Sequence, residues 1–323
     1  MEPPLDERSA PDPRERILEE LVELLSDWGA ADPARLRSEL APLLAAETPT
    51  TSEHFRRRVE STGTDWGYHP PDPLARGVSR VVHGLIFEPG SALHNAEALE
   101  SARSGPVLLL GNHLSFVDVN ALDYLMSQAG YADVAERLTA LVGPKVYAYP
   151  LRRLASLCFG TIKLAQSASR ASGEARMPRR EVARLAKESI QVARERRRQG
   201  DHLLIFVEGS RSRSGAMQRA LSAVGRYLED EDAVLVPWGI FGSERLFPIG
   251  EDRARPARVS ARLGAAVEAS RLLERCDGNR TLAMDTIGFL IAALLPPAQR
   301  GVYGEGHSLE AAHAIARDLV CPS

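Results

Sequence analysis

The stretch VLLLGNHLSFVD, Val107 to Asp118, combines a strand pattern, a turn and the start of a helix. Its first four residues are apolar, and a helical pattern begins near Asp118, a residue type favoured at helix N-termini. His113 therefore lies in a predicted strand-to-helix turn, where a side chain can face a cleft. The spacing lets the Asp118 carboxylate return toward the imidazole, fix its tautomer and make the other ring nitrogen a base. Taken alone, the pair is equally compatible with a helix cap beside a surface histidine.

Further along the chain, two more short apolar runs predict strands, LLIFV at 203–207 and VLVPWGI at 234–240. Short apolar runs separated by helical patterns favour an α/β domain with a buried sheet. The segment at 179–200, RREVARLAKESIQVARERRRQG, predicts a crossover helix that Gly200 ends. Its apolar stripe consists of Val182, Leu185, Ile190 and Ala193.

Before Val107 the pattern is different. The first dozen residues are rich in proline and charge, which is typical of a loose tail. Apolar residues then recur at helical spacing from Ile17 to Leu44, and TDWGYHPPDPL at 64–74 breaks any long helix. We therefore predict a tail and helical region at residues 1–75 and an α/β domain at residues 76–323.

A second polar motif, FVEGSRSRSG at 206–215, directly follows an apolar run. Gly209 allows a tight turn, and Ser210 and backbone amides can donate to oxyanions. Arg211 and Arg213 offer forked guanidinium donors suited to phosphate. The motif is compatible with a phosphate-binding loop, but taken alone it is more typical of a charged, solvated loop.

Together the two motifs resemble the glycerolipid acyltransferase family, which includes the lysophosphatidic acid and glycerol-3-phosphate acyltransferases. The family pattern N-H-x-x-x-x-D matches residues 112–118, and F-P-E-G-[TS]-R-S matches 206–212 with Val207 at the proline position. A further pattern, V-P-x-x-I, matches 236–240. The resemblance covers about Val107 to Tyr303.

This resemblance implies a buried mixed sheet flanked by helices, with a small helical region before it. It also implies that His113 deprotonates an acceptor hydroxyl, that Asp118 orients His113, and that the hydroxyl attacks an acyl-CoA or acyl-carrier-protein thioester. The acceptor would be a lysophospholipid similar to lysophosphatidic acid, or glycerol-3-phosphate. The residues implied to hold it are Asn112, Glu208, Gly209, Ser210, Arg211 and Arg213, with Arg211 on the phosphate. The resemblance calls for no metal and no redox cofactor.

The chain departs from the family at one position. The family pattern G-x-I-x-I-x-R ends in an arginine that binds the acceptor phosphate, whereas Gly160 to Ala165 leads here to Gln166. Lys163, Arg170 and Arg213 are the candidates to replace the missing charge. If none does, we expect a weaker preference for a doubly charged phosphomonoester over a phosphodiester.

Charge and composition limit the partners and the location. A net charge of -3 gives no overall attraction to nucleic acid, so we expect no nucleic-acid partner. The chain has three cysteines, Cys158, Cys276 and Cys321, an odd number without the spacing of a disulfide framework or zinc site. Its N-terminus is polar and has no signal-peptide pattern. Both features predict a cytoplasmic protein.

Contact with a membrane surface is also expected. No apolar stretch reaches the roughly 20 residues of a spanning helix. The stretch from Thr281 to Leu295 is predicted to be an amphipathic helix, and it could lie on a bilayer together with the basic face of the crossover helix. That basic face comprises Arg180, Arg184, Lys187, Arg194 and Arg197. A packed core helix and a solvated charged face are equally compatible with these two segments.

Two alternatives to an acyltransferase stay open. One is a catalytically silent lipid-binding protein with the same fold, although the intact His113, Asp118, Glu208 and Arg211 argue against a decayed site. The other is a thioester or lipid hydrolase that uses water at His113. The chain contains no G-x-S-x-G pentapeptide of a serine hydrolase.

Overall fold

The structure, a computed structural model, describes residues 12–165, 177–229, 232–251, 253–306 and 308–320. The α-helices are α1 Pro13–Asp27, α2 Pro33–Ala45, α3 Pro49–Ser61, α4 Pro73–Ile86, α5 Glu100–Ser104, α6 Asp118–Gln128, α7 Ala132–Ala135, α8 Pro150–Ser156, α9 Arg179–Arg198, α10 Ser243–Leu246, α11 Ala269–Arg275, α12 Arg280–Ala292 and α13 Glu310–Val320. The strands are β1 Gly67–His69, β2 Ala92–His94, β3 Val107–Gly111, β4 Leu138–Val142, β5 Gly160–Lys163, β6 His202–Phe206, β7 Val234–Phe241, β8 Ser260–Leu263 and β9 Val267–Glu268.

The strands form one mixed sheet in the order β1-β5-β4-β6-β3-β7-β8-β2, with β9 paired to β7. The five strands from β5 to β7 run parallel, whereas β1 and β8 run antiparallel to their neighbours β5 and β7. The three apolar runs of the sequence are the adjacent strands β6, β3 and β7 at the centre. The predicted buried mixed sheet flanked by helices is confirmed.

The crossover helix predicted at 179–200 is confirmed as α9, which connects β5 to β6. It ends at Arg198, and Gly200 follows in the left-handed conformation with φ +97°. Leu185 and Ala193 are buried as predicted, but Arg197 is buried with them. One member of the predicted basic face therefore belongs to the packed side of the helix.

The helices α1 to α4 begin in the same way, which explains the many prolines of this region. A side-chain oxygen of the preceding residue caps each helix, and proline occupies its first turn. Proline lacks the N–H group that would be unpaired at a helix start, and its fixed φ suits that position. The caps are Asp12, Asp32, Thr48 and Asp72.

These N-terminal helices share a hydrophobic core with one face of the sheet. The core extends without a break from Ile17 in α1 to Leu263 in β8. Trp28, directly after α1, stacks on Phe247 with ring centroids 4.3 Å apart. The N-terminal helical region is therefore packed into the α/β core.

The prediction that Thr281 to Leu295 form an amphipathic helix is wrong. The structure has α12 there, and every residue from Ala283 to Ala292 is buried. The helix packs between the sheet and α13, so no face remains for solvent, as expected for a helix that is apolar all round. Its one acidic residue, Asp285, is paired with Arg219 and accepts a hydrogen bond from Tyr303. Among the described helices, none is both long and apolar enough to cross a bilayer.

Candidate active site

His113 and Asp118 lie together at the carboxyl end of the central strand β3. The distance between His113 Nδ1 and Asp118 Oδ2 is 2.9 Å. Asp118, fully buried, begins α6, and its Oδ2 also accepts hydrogen bonds from the N–H groups of Leu114 at 2.7 Å and Ser115 at 2.9 Å. The structure thus brings together the two residues that the sequence paired.

This contact favours one tautomer of the neutral imidazole. In that tautomer Nδ1 donates its hydrogen to the carboxylate, and the lone pair of Nε2 is available. Within the described residues Nε2 has no hydrogen-bond partner, and the His113 side chain is 18% exposed. The geometry therefore leaves one basic nitrogen facing accessible space.

A phenylalanine holds the plane of the imidazole. Phe206, the last residue of β6, stacks on His113 with centroids 3.8 Å apart and an angle of 13° between the rings. Phe206 was not among the predicted site residues, although it stands directly before Val207 and Glu208 in the second motif. Stacking restricts rotation of the ring, which the hydrogen bond to Asp118 alone would not prevent.

Glu208 joins the two motif loops through their backbones. Its Oε1 accepts from the His113 N–H at 3.0 Å, and its Oε2 accepts from the Gln218 N–H at 2.7 Å. The Ser212 N–H donates in turn to the His113 carbonyl at 2.8 Å. Burial raises the pKa of the Glu208 carboxyl to about 7, against the opposing effect of the Gln218 and His113 N–H donors. Glu208 is thus buried and holds the two motif loops together, and its predicted contact with an acceptor stays a prediction.

Asn112 is likewise engaged with the backbone. Its amide nitrogen donates to the Ile240 carbonyl at 2.9 Å, and its amide oxygen accepts from the Ile240 N–H at 2.8 Å. The side chain is almost completely buried. It therefore fastens the start of the motif loop to β7, and its predicted contact with an acceptor stays a prediction.

The remaining predicted binding residues lie on the turn after β6. Gly209 has φ +66°, a left-handed conformation that favours glycine, and both Gly209 and Ser210 are exposed. Arg213 is also exposed, whereas Arg211 is half-buried with its guanidinium carbon 5.9 Å from the ring centroid of Phe116. Burial lowers the pKa of Arg211, and the nearby positive charge of Arg152 lowers it further.

The candidates to replace the charge missing at Gln166 have different outcomes. Gln166 and Arg170 lie outside the described residues. Lys163 Nζ donates to the Gly63 carbonyl at 2.6 Å and sits 4.5 Å from the centroid of a Trp66 ring. Lys163 is therefore engaged at the far side of β5 from β3, while Arg213 points into solvent without a described partner.

A basic residue that belongs to neither motif lies at the site instead. Arg152 on α8 is half-buried, with its guanidinium carbon 5.3 Å from the Phe116 centroid and 4.8 Å from that of Tyr149. Phe116 belongs to the loop between His113 and Asp118. No spacing rule links Arg152 to either motif, because only the packing of α8 brings it there.

An apolar pocket opens beside the same loop. It is lined by side chains from the N-terminal helices, α6 and α8, mostly apolar, among them Trp28, Val78, Phe116, Val117, Leu154 and Cys158. Through Phe116 and Val117, this apolar lining includes the loop that carries His113.

The described residues contain no group of three or more His, Cys, Asp and Glu side chains placed to hold a metal ion. Cys158 and Cys276 are buried free thiols, and burial raises the pKa of Cys158 to about 12. Cys321 lies outside the described residues.

Comparison with known proteins gives one family match. Residues 91–240 match the family model described as Acyltransferase, a stretch that includes His113, Asp118, Glu208 and Arg211. No curated protein matches the chain significantly. Among solved structures, the crystal structure of the 1-acyl-sn-glycerophosphate (LPA) acyltransferase PlsC from Thermotoga maritima has 12% sequence identity and a TM-score of 0.43, covering 79% of this chain and 86% of that chain.

Proposed function

We propose that this chain transfers a fatty acyl group from a thioester to the hydroxyl of a phosphate-bearing acceptor, because residues 91–240 match the family model described as Acyltransferase. The acceptor is a lysophospholipid similar to lysophosphatidic acid, or glycerol-3-phosphate, and the donor is acyl-CoA or an acyl-carrier protein. The observation that carries the proposal is the contact between His113 and Asp118 inside the matched region, with Nε2 left free.

His113 acts as the general base in this proposal. Nε2 takes the proton of the acceptor hydroxyl as its oxygen attacks the thioester carbonyl carbon. A C–O bond forms, the C–S bond breaks, and the imidazolium returns the proton to the leaving thiolate. The buried Asp118 carboxylate stabilises the transient imidazolium charge, and Phe206 keeps the ring in plane.

Two neighbouring features support a fatty acyl substrate and an anionic acceptor. The surroundings of Phe116 are mostly apolar side chains, among them Trp28 and Leu154, against which a hydrocarbon chain could pack. Arg211, half-buried and without a carboxylate partner among the described residues, offers a donor for phosphate. Both lie next to the loop that carries His113.

The direct test compares His113→Ala with wild type. Purified protein is given an acyl thioester and a mixed pool of lysophospholipids and glycerol-3-phosphate, and the products are identified by mass spectrometry. We expect an acylated acceptor from wild type and a loss of about 10²- to 10⁴-fold in His113→Ala, the usual contribution of a general base. His54→Ala, which removes an exposed histidine on α3, is the matched control.

The outcomes separate the alternatives. Near-normal turnover by folded His113→Ala would remove His113 from the mechanism. Thioester loss without any acylated acceptor would indicate a hydrolase, and no thioester loss with any acceptor would indicate a binding protein.

Contact with a membrane surface is part of the proposal, since a lysophospholipid acceptor resides in a bilayer. The buried α12 supplies no such contact, and Arg184 of α9 is paired with Glu181 and Glu188. Tyr149, 58% exposed beside Arg152, is the better candidate. Sedimentation with anionic liposomes at low salt should carry the protein into the pellet; protein that stays in the supernatant would contradict this contact.

A further inference from the structure

Two guanidinium groups converge on one aromatic ring beside His113. Arg152 comes from α8 and Arg211 from the turn after β6, so they approach Phe116 from separate elements. Their guanidinium carbons lie 5.3 Å and 5.9 Å from the Phe116 centroid. Because Phe116 stands between His113 and Asp118 in the chain, both charges border the catalytic loop.

Neither arginine has a carboxylate partner among the described residues. Other partly buried arginines of this protein do: Arg80 binds Asp123 at 2.8 Å, and Arg196 binds Asp201 at 2.8 Å. Two like charges held close together in a half-buried place are unfavourable for the empty protein. The Asp118 carboxylate attracts Arg211, but this one carboxylate also accepts a hydrogen bond from His113 and forms no ion pair with Arg152 or Arg211 among the described residues.

We propose that Arg152 and Arg211 together form the binding site for a phosphomonoester dianion of the acyl acceptor, with Arg152 as its specificity-determining residue. This inference rests on the proposed acyl transfer and names the acceptor class within it. Arg152 supplies the second positive charge that the sequence lacks at Gln166. The expected weak preference for a phosphomonoester is thereby reversed.

The arrangement discriminates by charge. A phosphomonoester at neutral pH carries up to two negative charges and three terminal oxygens, enough for both guanidinium groups. A phosphodiester carries one charge and has one of these oxygens blocked, so it satisfies one arginine and leaves the other without an anion. The phosphate, held at Phe116, would place the glycerol hydroxyl toward His113.

The experiment measures steady-state kinetics of wild type, Arg152→Gln and Arg152→Lys with three acceptors. These are lysophosphatidic acid, its phosphate methyl ester with the same acyl chain, and glycerol-3-phosphate, which distinguishes a lipid from a water-soluble source of the phosphate. Arg198→Gln is the charge-matched control. Arg198 is exposed and lies before the amino end of β6, whereas Arg211 follows the carboxyl end of that strand.

We expect Arg152→Gln to raise the KM for the preferred phosphomonoester about tenfold or more while kcat changes little, because a charged hydrogen bond to the ground-state phosphate is lost. The KM for the methyl ester should change much less. Arg152→Lys should lose less than Arg152→Gln, and Arg198→Gln should behave as wild type. Circular dichroism checks that the variants are folded. If Arg152→Gln does not fold, the role of Arg152 is judged from Arg152→Lys, by the ratio of its KM values for lysophosphatidic acid and the methyl ester.

Binding of glycerol-3-phosphate, measured by calorimetry, tests the two-arginine site independently of acyl transfer. If wild type acylates lysophosphatidic acid and Arg152→Gln keeps its KM ratio and phosphate binding, Arg152 has no such role. If wild type acylates no acceptor but Arg152→Gln weakens glycerol-3-phosphate binding, the two-arginine site stands and the proposed transfer fails.

Discussion

At the scale of single residues, the polar side chains of the two motifs divide into two groups. Asn112, Asp118 and Glu208 are buried, and each has a side-chain oxygen that accepts a hydrogen bond from a backbone N–H group. His113 and Arg211 keep atoms free of any described protein partner. The first group shapes the loops and the second can meet a substrate, a division that motif matching alone does not reveal.

Glu208 makes stability depend on pH. Its pKa is raised from 4.5 in the unfolded chain to about 7 in the folded protein, mainly by burial. The folded state therefore holds a proton that the unfolded state has lost between these values, so the contribution of Glu208 is favourable below about pH 4.5 and is lost as pH rises through 7. Between pH 4.5 and 8 this loss is on the order of 3 kcal/mol.

The measurement is urea unfolding of wild type and Glu208→Gln from pH 5 to 8. Glutamine does not titrate, so the difference in unfolding free energy between the two proteins should change with pH in the direction given above. Its amide cannot accept from both the His113 and Gln218 N–H groups through two oxygens, which lowers stability at every pH without changing the slope. A difference that is constant across the range would show that Glu208 titrates normally.

At the scale of secondary-structure elements, the packing of β3 against Trp238 of β7 requires a glycine directly before the loop that carries His113. A Cβ atom on Gly111 would lie 2.3 Å from the Trp238 ring, and Trp238 is fully buried on β7. The ring cannot move outward, because it packs in the core and contacts Phe206 at 5.8 Å between centroids. Gly111 therefore sets the spacing on which the next residues, Asn112 and His113, rely.

Gly111→Ala should destabilise the protein by about 1–3 kcal/mol or more through overpacking. It should also lower the proposed acyl transfer, since Asn112, which follows β3, and Phe206, which contacts Trp238, must shift. Gly105→Ala is the matched control: its φ of -179° suits any residue, and a Cβ there meets nothing within 4 Å. Equal stability of the two variants by urea unfolding would argue against the close contact with Trp238.

At the scale of the whole molecule, the N-terminal helices and the sheet share one core. Leu36 and Leu40 of α2 are fully buried in the same cluster as Val236 and Ile240 of β7. Trp28 stacks on Phe247 and also lies 6.3 Å from Phe116 of the catalytic loop. Loss of the helical region would therefore expose the core and loosen the loop that carries His113.

Leu36→Ala should accordingly lower the stability of the whole chain by about 2–5 kcal/mol, the usual cost of a large-to-small core change. Unfolding followed by tryptophan fluorescence and by far-UV circular dichroism should give one coincident transition that shifts as a unit. Glu39→Ala, an exposed change on the same helix, should shift it little. Two separate transitions, with only one moved by Leu36→Ala, would mean that the helical region unfolds independently.

The amino-acid sequence by itself determined the features that depend on local order along the chain. The apolar runs at 107–110, 203–207 and 234–240 form adjacent central strands. A short, continuously apolar run in an α/β domain is typical of a strand buried on both faces. His113 and Asp118 meet because five residues at a strand-to-helix turn can close that contact on their own.

Only the tertiary structure decided which distant residues share a site and which apolar helix is buried. Arg152 on α8 and Arg211 both lie near the Phe116 ring, and nothing in the spacing of the motifs encodes that contact. The stretch Thr281–Leu295 proved to be a core helix because the sheet and α13 cover both of its sides. Burial depends on what packs against a segment, and the pattern of a single segment does not specify its neighbours.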